Sequence, residues 1–535
     1  MTMQTADTAQ NRFSWRLAFN RAGASLASGG LLLIVGAVSD VFRLGTHRFL
    51  LFGFLCLGLA VVFFLLLSFD GPANALLGFA DRFGGRMAFY GALGYGLFMS
   101  IAVILLYYQF DTWIDFDLSL RNQAFWRVIH GGGFVSTMDS GINNLGIHSA
   151  YVYFLVLPVY ALFPYPPTLM VCQAVAVALG GFLLFRCLRT RFNSEIAIGI
   201  TLAYWMSAMV SAAVFHGVHE VTFGAPFIVL MYDSFLREKL RRFLVWTFLI
   251  LTVKETMPFV VAGFMVLAIV KRRSWKWWAI PASMAAVFAV VNFGVVFPML
   301  RARMGSAYMG LDFLPKSPGE WLAMAPGKMR YVLALLAPFL LLGPARAYSL
   351  PALFEIGINM ISMNPAHTDL NRHYAIYIGA AFLVSSAFAI DAWSRSPYLA
   401  RIAGGPRRAA LWLVIVLVLS QAVVSPLWTS RLPSWSRCDR RAEWAMVDRI
   451  PAGATVMASH GFLAALSSRK KLFSFYNTYD KLAGCDYLMI DGAFVPEWYP
   501  SEARRKISRL SADPWSDSLF EPIAIDGPYM LMRRK

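Results

Sequence analysis

Apolar runs dominate this chain, and their lengths decide what it can be. A helix needs about 20 apolar residues to cross the hydrocarbon core of a bilayer. Runs suited to crossing lie at 24–42, 48–69, 85–108, 166–187, 193–214, 222–238, 243–255, 256–270, 276–299, 328–347, 348–363, 374–393 and 409–428. The pattern predicts an all-α polytopic membrane protein with about thirteen transmembrane helices. Two places break it. The apolar stretch 149–164 is short and interrupted by Pro158, and it reads as a re-entrant or interfacial segment. The pair 243–255 and 256–270 turns at "VKETMP" and is too short for two straight crossings, so it reads as a half-height hairpin with Lys254 and Glu255 at its tip.

Charge between the runs sets the orientation. Alternation puts Arg12, Arg16 and Arg21, the pair Arg82 and Arg86, the cluster Arg186, Arg189 and Arg191, and Lys271 to Arg273 on one side with Arg401, Arg407 and Arg408. Positive residues collect in cytoplasmic loops, so that side is the cytoplasm and the N-terminus lies there. "MTMQTADTAQNRFSWRLAFNR" lacks the apolar core of a cleavable signal peptide. Four regions follow: N-terminal transmembrane helices at 1–108, a first large extracytoplasmic loop with interfacial helices at 109–165, a transmembrane core at 166–428, and a soluble extracytoplasmic α/β domain at 429–535. In that tail, "ATVMAS" and "DYLMID" read as strands around the helical "HGFLAALSSR".

Composition agrees with this picture. Of 535 residues 58% are hydrophobic and only 15% charged, too few charges to cover a soluble protein of this size. The mean hydropathy is +0.56. A net charge of +18 would suggest nucleic acid in a soluble chain, but here it sits in short loop clusters, and no nucleic-acid partner is expected. Cys56, Cys172 and Cys187 lie in or beside spans and read as packing residues. Cys438 and Cys485 both fall in the tail, where an oxidising compartment would permit a disulfide.

The polar residues that hydropathy leaves unexplained gather on the outer face. The loop 109–148 carries Asp111, Asp115, Asp117, Arg121, Arg127, His130, Asn143, Asn144 and His148. "FHGVHE" adds His216, His219 and Glu220, the hairpin tip adds Lys254 and Glu255, and the loop between 363 and 374 adds His367, Asp369, Arg372 and His373. Ionisable groups at membrane depth are costly and mark substrate sites, ion paths or buried pairs. Plainer readings stand beside that one. Asp111 reads as a helix cap, Lys254 with Glu255 as an ion pair in a broken helix, and His219 with Glu220 as a structural pair. Asp115 and Asp117 lie two apart and point in different directions on a helix, so one of them faces the cavity. Asp115, Asp117, His219 and Glu220 are plausible metal ligands, but their spacing is no metal motif and no metal or other cofactor is expected. "HGGGF" at 130–134 lacks the flanking strand and lysine of a nucleotide site.

The segment "FDLSLRNQAFWRVIHGGGFVST…NNLGIHSAYVYF", with "VHEVTFGAPF", "VKETMP" and "DYLMID" following in order, resembles a bacterial and archaeal family of multi-pass membrane proteins. Its motif runs like Tyr-Asp-Leu-Gly-x-x-Asp-Gln-x-x-Trp, then Asn-x-Leu-Gly-x-His, Phe-His-Glu and Lys-Glu. The family looks like a branch of the GT-C superfamily of multi-pass glycosyltransferases, which includes protein O-mannosyltransferases and aminoarabinose transferases. By that resemblance the first Asp falls on Asp117, the Gln on Gln123, the Trp on Trp126 and the His on His148. Phe-His-Glu falls on Val218, His219 and Glu220, and Lys-Glu on Lys254 and Glu255. Ser119 replaces the motif glycine, and Asn122 replaces its second carboxylate.

The resemblance implies a GT-C-like fold in the bacterial inner membrane, a polyprenyl-phosphate-linked sugar as donor, and a lipid, glycan or protein acceptor on the extracytoplasmic side. It also implies an acidic catalytic base near the start of the first loop. Asp117 is the expected base. Lys254, Arg372 and His148 are candidates for the phosphate, and His219 and Glu220 for positioning sugar or acceptor, with Asp115, Gln123, Glu255 and His373 as further substrate-site candidates. Two rival readings use the same cavity: a lipid or solute transporter, against which stands the lack of internal symmetry, and a non-catalytic protein that keeps the fold.

Overall fold

A computed structural model describes residues 70–139, 141–301, 317–425, 432–434 and 439–535. The expected spans 24–42 and 48–69, the N-terminal arginines, Cys56 and Cys438 lie outside the described residues. Five helices among those described are long and apolar enough to cross a membrane: Asp70–Tyr108, Pro166–Leu188, Lys276–Arg301, His373–Ser394 and Pro406–Val423. The pair Ser194–Met206 and Ala208–Val214, bent by 46°, makes a sixth if taken as one span. Each takes in an expected run, but Asp70–Tyr108 begins well before the run 85–108 and includes Arg82 and Arg86, which the charge pattern places in a loop.

Elsewhere the apolar runs fold as shorter pieces. Ala225–Leu236, Leu240–Leu251, Met257–Val270 and Leu350–Ile361 are helices of 12 to 14 residues, too short to cross singly. The run at 328–347 breaks early. Its helix, Pro318–Leu336, ends before Pro338, and Leu340 and Leu341 then take positive φ, so the apolar stretch turns back. The 149–164 stretch contributes only the ten-residue helix Tyr153–Leu162. Its start is tied to the hairpin by the Val152 amide, which donates to the Thr252 carbonyl at 3.0 Å.

Helices in lipid gain little from water-driven attraction, so close backbone approach must supply the contact. Pro166–Leu188 packs along Asp70–Tyr108 with Gly96 against Ala178, and a side chain at Gly181 would overlap the Trp205 indole. Leu97, Phe98 and Ile101 on the first of these helices, and Val287 and Val290 on Lys276–Arg301, stay exposed, as a lipid-facing surface requires.

The tail folds as a five-stranded sheet. Its strands are β1 (Val456–Ala458), β2 (Leu472–Ser474), β3 (Tyr487–Asp491), β4 (Phe520–Asp526) and β5 (Tyr529–Arg534), in the order β2-β1-β3-β5-β4. β1 pairs in parallel with β2 and β3, while β5 pairs antiparallel with β3 and β4. β1 and β3 are the expected "ATVMAS" and "DYLMID" strands. Helix Ser501–Ala512 buries Ala503, Ile507 and Leu510 on the sheet, a helical stripe with charged residues on its other side. Cys485 is buried as a free thiol.

Between tail and bundle lies helix Thr112–Ile129, capped as expected by Asp111, whose side chain accepts from the Trp113 amide at 2.9 Å. One side of it is a seam with the tail. The Asp115 carboxylate accepts from the Gly461 amide at 2.8 Å and the Ala464 amide at 2.7 Å, capping the short helix Leu463–Leu466. Asn122 donates to the Ser467 hydroxyl at 2.7 Å, Gln123 to the Arg469 carbonyl at 3.1 Å, and Arg127 to the Lys470 carbonyl at 2.8 Å. Gly461 sits at φ +98° against the Phe110 carbonyl, a place that favours glycine. Burial pushes the Asp115 carboxyl up to about 7, against the pull of the amides that bind it.

Replacing Asp115 by Ala strands two buried amides, at roughly 1–3 kcal/mol each. Hydrogen exchange should then quicken at Gly461 and Ala464 while Pro166–Leu188 is unchanged. Unaltered exchange at those two amides would show that the seam does not depend on Asp115.

Candidate functional site

The opposite side of the same helix carries Asp117 and, one turn on, Arg121. Arg121 points at Glu220, with its guanidinium 3.7 Å from Oε2, and donates a second bond to Asn144. Glu220 is fully buried. Its Oε1 lies 2.9 Å from Lys254 Nζ, and its Oε2 accepts from the Tyr153 hydroxyl at 3.2 Å. One carboxylate thus meets helix Thr112–Ile129, the start of helix Tyr153–Leu162 and the hairpin tip. An isolated buried charge is very costly, and two cations and a hydroxyl make this one tolerable.

The remaining expected pairings separate. Lys254 and Glu255 do not pair with each other. Glu255 turns to His148, whose Nδ1 lies 2.8 Å from Oε1, and accepts from the Ser149 amide at 3.1 Å. His219 and Glu220 also diverge, because adjacent residues at a helix start face different ways: Glu220 looks to the cations and His219 to Asp117, Nε2 to Oδ2 being 3.6 Å.

The backbone that carries His219 is pinned from below. Gln173, two turns into the Pro166–Leu188 helix, accepts from the His219 amide at 3.0 Å and the Thr222 hydroxyl at 2.9 Å, and its Nε2 donates to the Gly217 carbonyl at 3.0 Å. Gly217 takes φ +75°, and a side chain there would collide with the Asp117 Cβ. The loop therefore comes close to Asp117 only with glycine at this position.

Asp117 differs from its neighbours. Its side chain is 34% exposed, against 0% for Glu220, and among the described residues no lysine or arginine forms an ion pair with it. Burial would raise its carboxyl, but the fields of His219, His216 and Arg121 outweigh that, and it is held below the usual carboxylate value. It is an ionised, accessible acceptor beside a buried cluster whose one carboxylate is held by two cations.

Several expected site residues have other places. Asp115 and Gln123 belong to the seam with the tail: Gln123 also accepts from the Ser136 hydroxyl at 2.7 Å and the Thr137 amide at 2.9 Å. His373 is buried with its ring stacked on His219, centroids 3.5 Å apart. Arg372 remains partly exposed, 3.4 Å from Asp369. Sequence reasoning did not place Gln173 or Tyr153 in the site, and it set Arg121 on the outer face without a role. Gln173 had a signal, as a lone amide within 23 otherwise mostly apolar residues.

The bundle with its small α/β tail is a GT-C-like fold. ArnT from Cupriavidus metallidurans bound to undecaprenyl phosphate aligns with a TM-score of 0.50 at 11% identity, over 82% of this chain and 97% of that one. ArnT from Cupriavidus metallidurans in the apo state aligns with a TM-score of 0.48 at 12% identity, over 83% and 98%. Residues 112–521 match the family described as predicted membrane protein (DUF2079), and the chain belongs to that family. No curated protein matches it.

Glu220→Gln should cost about 3–5 kcal/mol, because Lys254 and Arg121 stay buried without their counter-charge. Asp117→Asn should leave stability nearly unchanged. Thermal unfolding of both variants in detergent checks the contrast, and equal losses would contradict this division between a structural and an accessible carboxylate.

Proposed function

We propose that this protein is an integral-membrane glycosyltransferase that moves a sugar from a polyprenyl-phosphate donor to an acceptor on the extracytoplasmic side. The observation that carries the reading is Asp117: an ionised, accessible carboxylate beside a buried charge cluster, on the bundle-facing side of the helix that joins a GT-C-like bundle to its tail. The ArnT structure with undecaprenyl phosphate supports a lipid phosphate as one substrate.

In the proposed step, Asp117 takes the proton of the acceptor hydroxyl as its oxygen attacks the anomeric carbon. The bond from that carbon to the phosphate oxygen breaks, and the electron pair leaves with the polyprenyl phosphate. The leaving anion needs cations. Arg372, partly exposed, is the assigned phosphate contact, and His148, half-buried on Glu255, is a second. Lys254 serves Glu220 instead, and shapes the site rather than touching the donor. His219 orients Asp117, and the lipid tail of the donor stays in the bilayer beside the bundle.

The test uses a strain in which deletion of the gene changes the surface glycan or glycolipid profile. Wild-type protein should restore the profile, while Asp117→Asn at the same membrane level should restore it at a rate lower by at least about 100-fold. Full restoration by Asp117→Asn would exclude it as the base.

A further inference from the structure

Three histidines meet beside Asp117. His216 and His219 come from the "FHGVHE" loop, and His373 from the start of the His373–Ser394 helix. All three are buried, at 6%, 5% and 4% exposure. One nitrogen from each lies within 4.8 Å of the others. His216 Nδ1 is 3.0 Å from His219 Nε2, and the His219 and His373 rings stack. His373 Nδ1 is buried with no hydrogen-bond partner. A buried imidazole nitrogen without a partner forfeits about 1–3 kcal/mol of solvation, so its retention beside two further imidazoles needs a cause.

We propose that His216, His219 and His373 bind one divalent transition-metal ion, zinc by their chemistry, next to the proposed base. Neutral imidazole suits zinc, which takes nitrogen ligands at about 2.0–2.1 Å in tetrahedral array. The His216 and His219 nitrogens already stand 3.0 Å apart, and to join them on one ion the His373 ring must slide off the His219 ring until the in-plane lone pairs converge, a side-chain reorientation. The loop is already braced for the task, because Gln173 holds the His219 amide and the Gly217 carbonyl in place. Three protein ligands leave a fourth position. That position is left for a substrate oxygen, next to the Asp117 carboxylate, which lies 3.6 Å from His219 Nε2. No sequence motif announces the site, since His373 joins the other two only in the fold.

The inference shares Asp117 with the proposed transferase but is tested without turnover. The full chain, purified in detergent without a polyhistidine tag, is incubated with zinc, desalted and assayed for metal by elemental analysis. About one zinc per chain is expected. His373→Ala and His216→Ala should reduce it at least tenfold, whereas His373→Cys, which offers a thiolate, should retain it. The cobalt-loaded protein should show tetrahedral d–d absorption that His373→Ala loses. Recovery by His373→Cys separates loss of a ligand from loss of the fold. A wild type that retains no zinc, or variants that all hold the same amount, would overturn the site. A chain that holds zinc but transfers no sugar would refute the transferase reading alone.

Discussion

The structure turns on one buried carboxylate. Glu220 is fully buried, and its tolerance there depends on Lys254 from the hairpin, Arg121 from helix Thr112–Ile129 and Tyr153 from helix Tyr153–Leu162. In a low-dielectric interior none of these groups is stable without the others. Three segments far apart in the chain are thereby fixed to one another. Asp117 benefits without being consumed: its helix is anchored by Arg121 one turn away, and its own oxygens stay open.

The long spans could be read from the sequence because hydropathy measures the quantity that decides them. Pro166–Leu188, Lys276–Arg301 and Pro406–Val423 lie where apolar runs placed them, and Asp70–Tyr108 contains its run 85–108 but starts earlier. Less legible were runs such as 328–347, where proline and a pair of left-handed residues turn an apolar stretch back on itself. Hydropathy counts methylenes and is blind to direction.

Within the site, the spacing of Asp115 and Asp117 told that they diverge, but not which element each would meet. Asp115 met two amides of the tail, a contact spanning more than three hundred residues that no local pattern encodes. The plainer alternatives, Lys254 paired with Glu255 and His219 with Glu220, do not form, for a common reason. Adjacent residues face apart, and partners come from other segments, as His148 does for Glu255 and Asp117 does for His219.

The Thr112–Ile129 helix serves two clients at once, with Asp115, Asn122 and Gln123 committed to the tail and Asp117 and Arg121 to the bundle. Each residue on an α-helix is turned by roughly 100° from the one before. A single inserted or deleted residue between 115 and 123 would rotate one set of contacts out of register with the other, and no slide of the helix could satisfy both. The segment can drift in sequence at its partly exposed positions, but its length is frozen. Relatives that keep both the tail and the charge cluster are therefore bound to keep this stretch free of gaps.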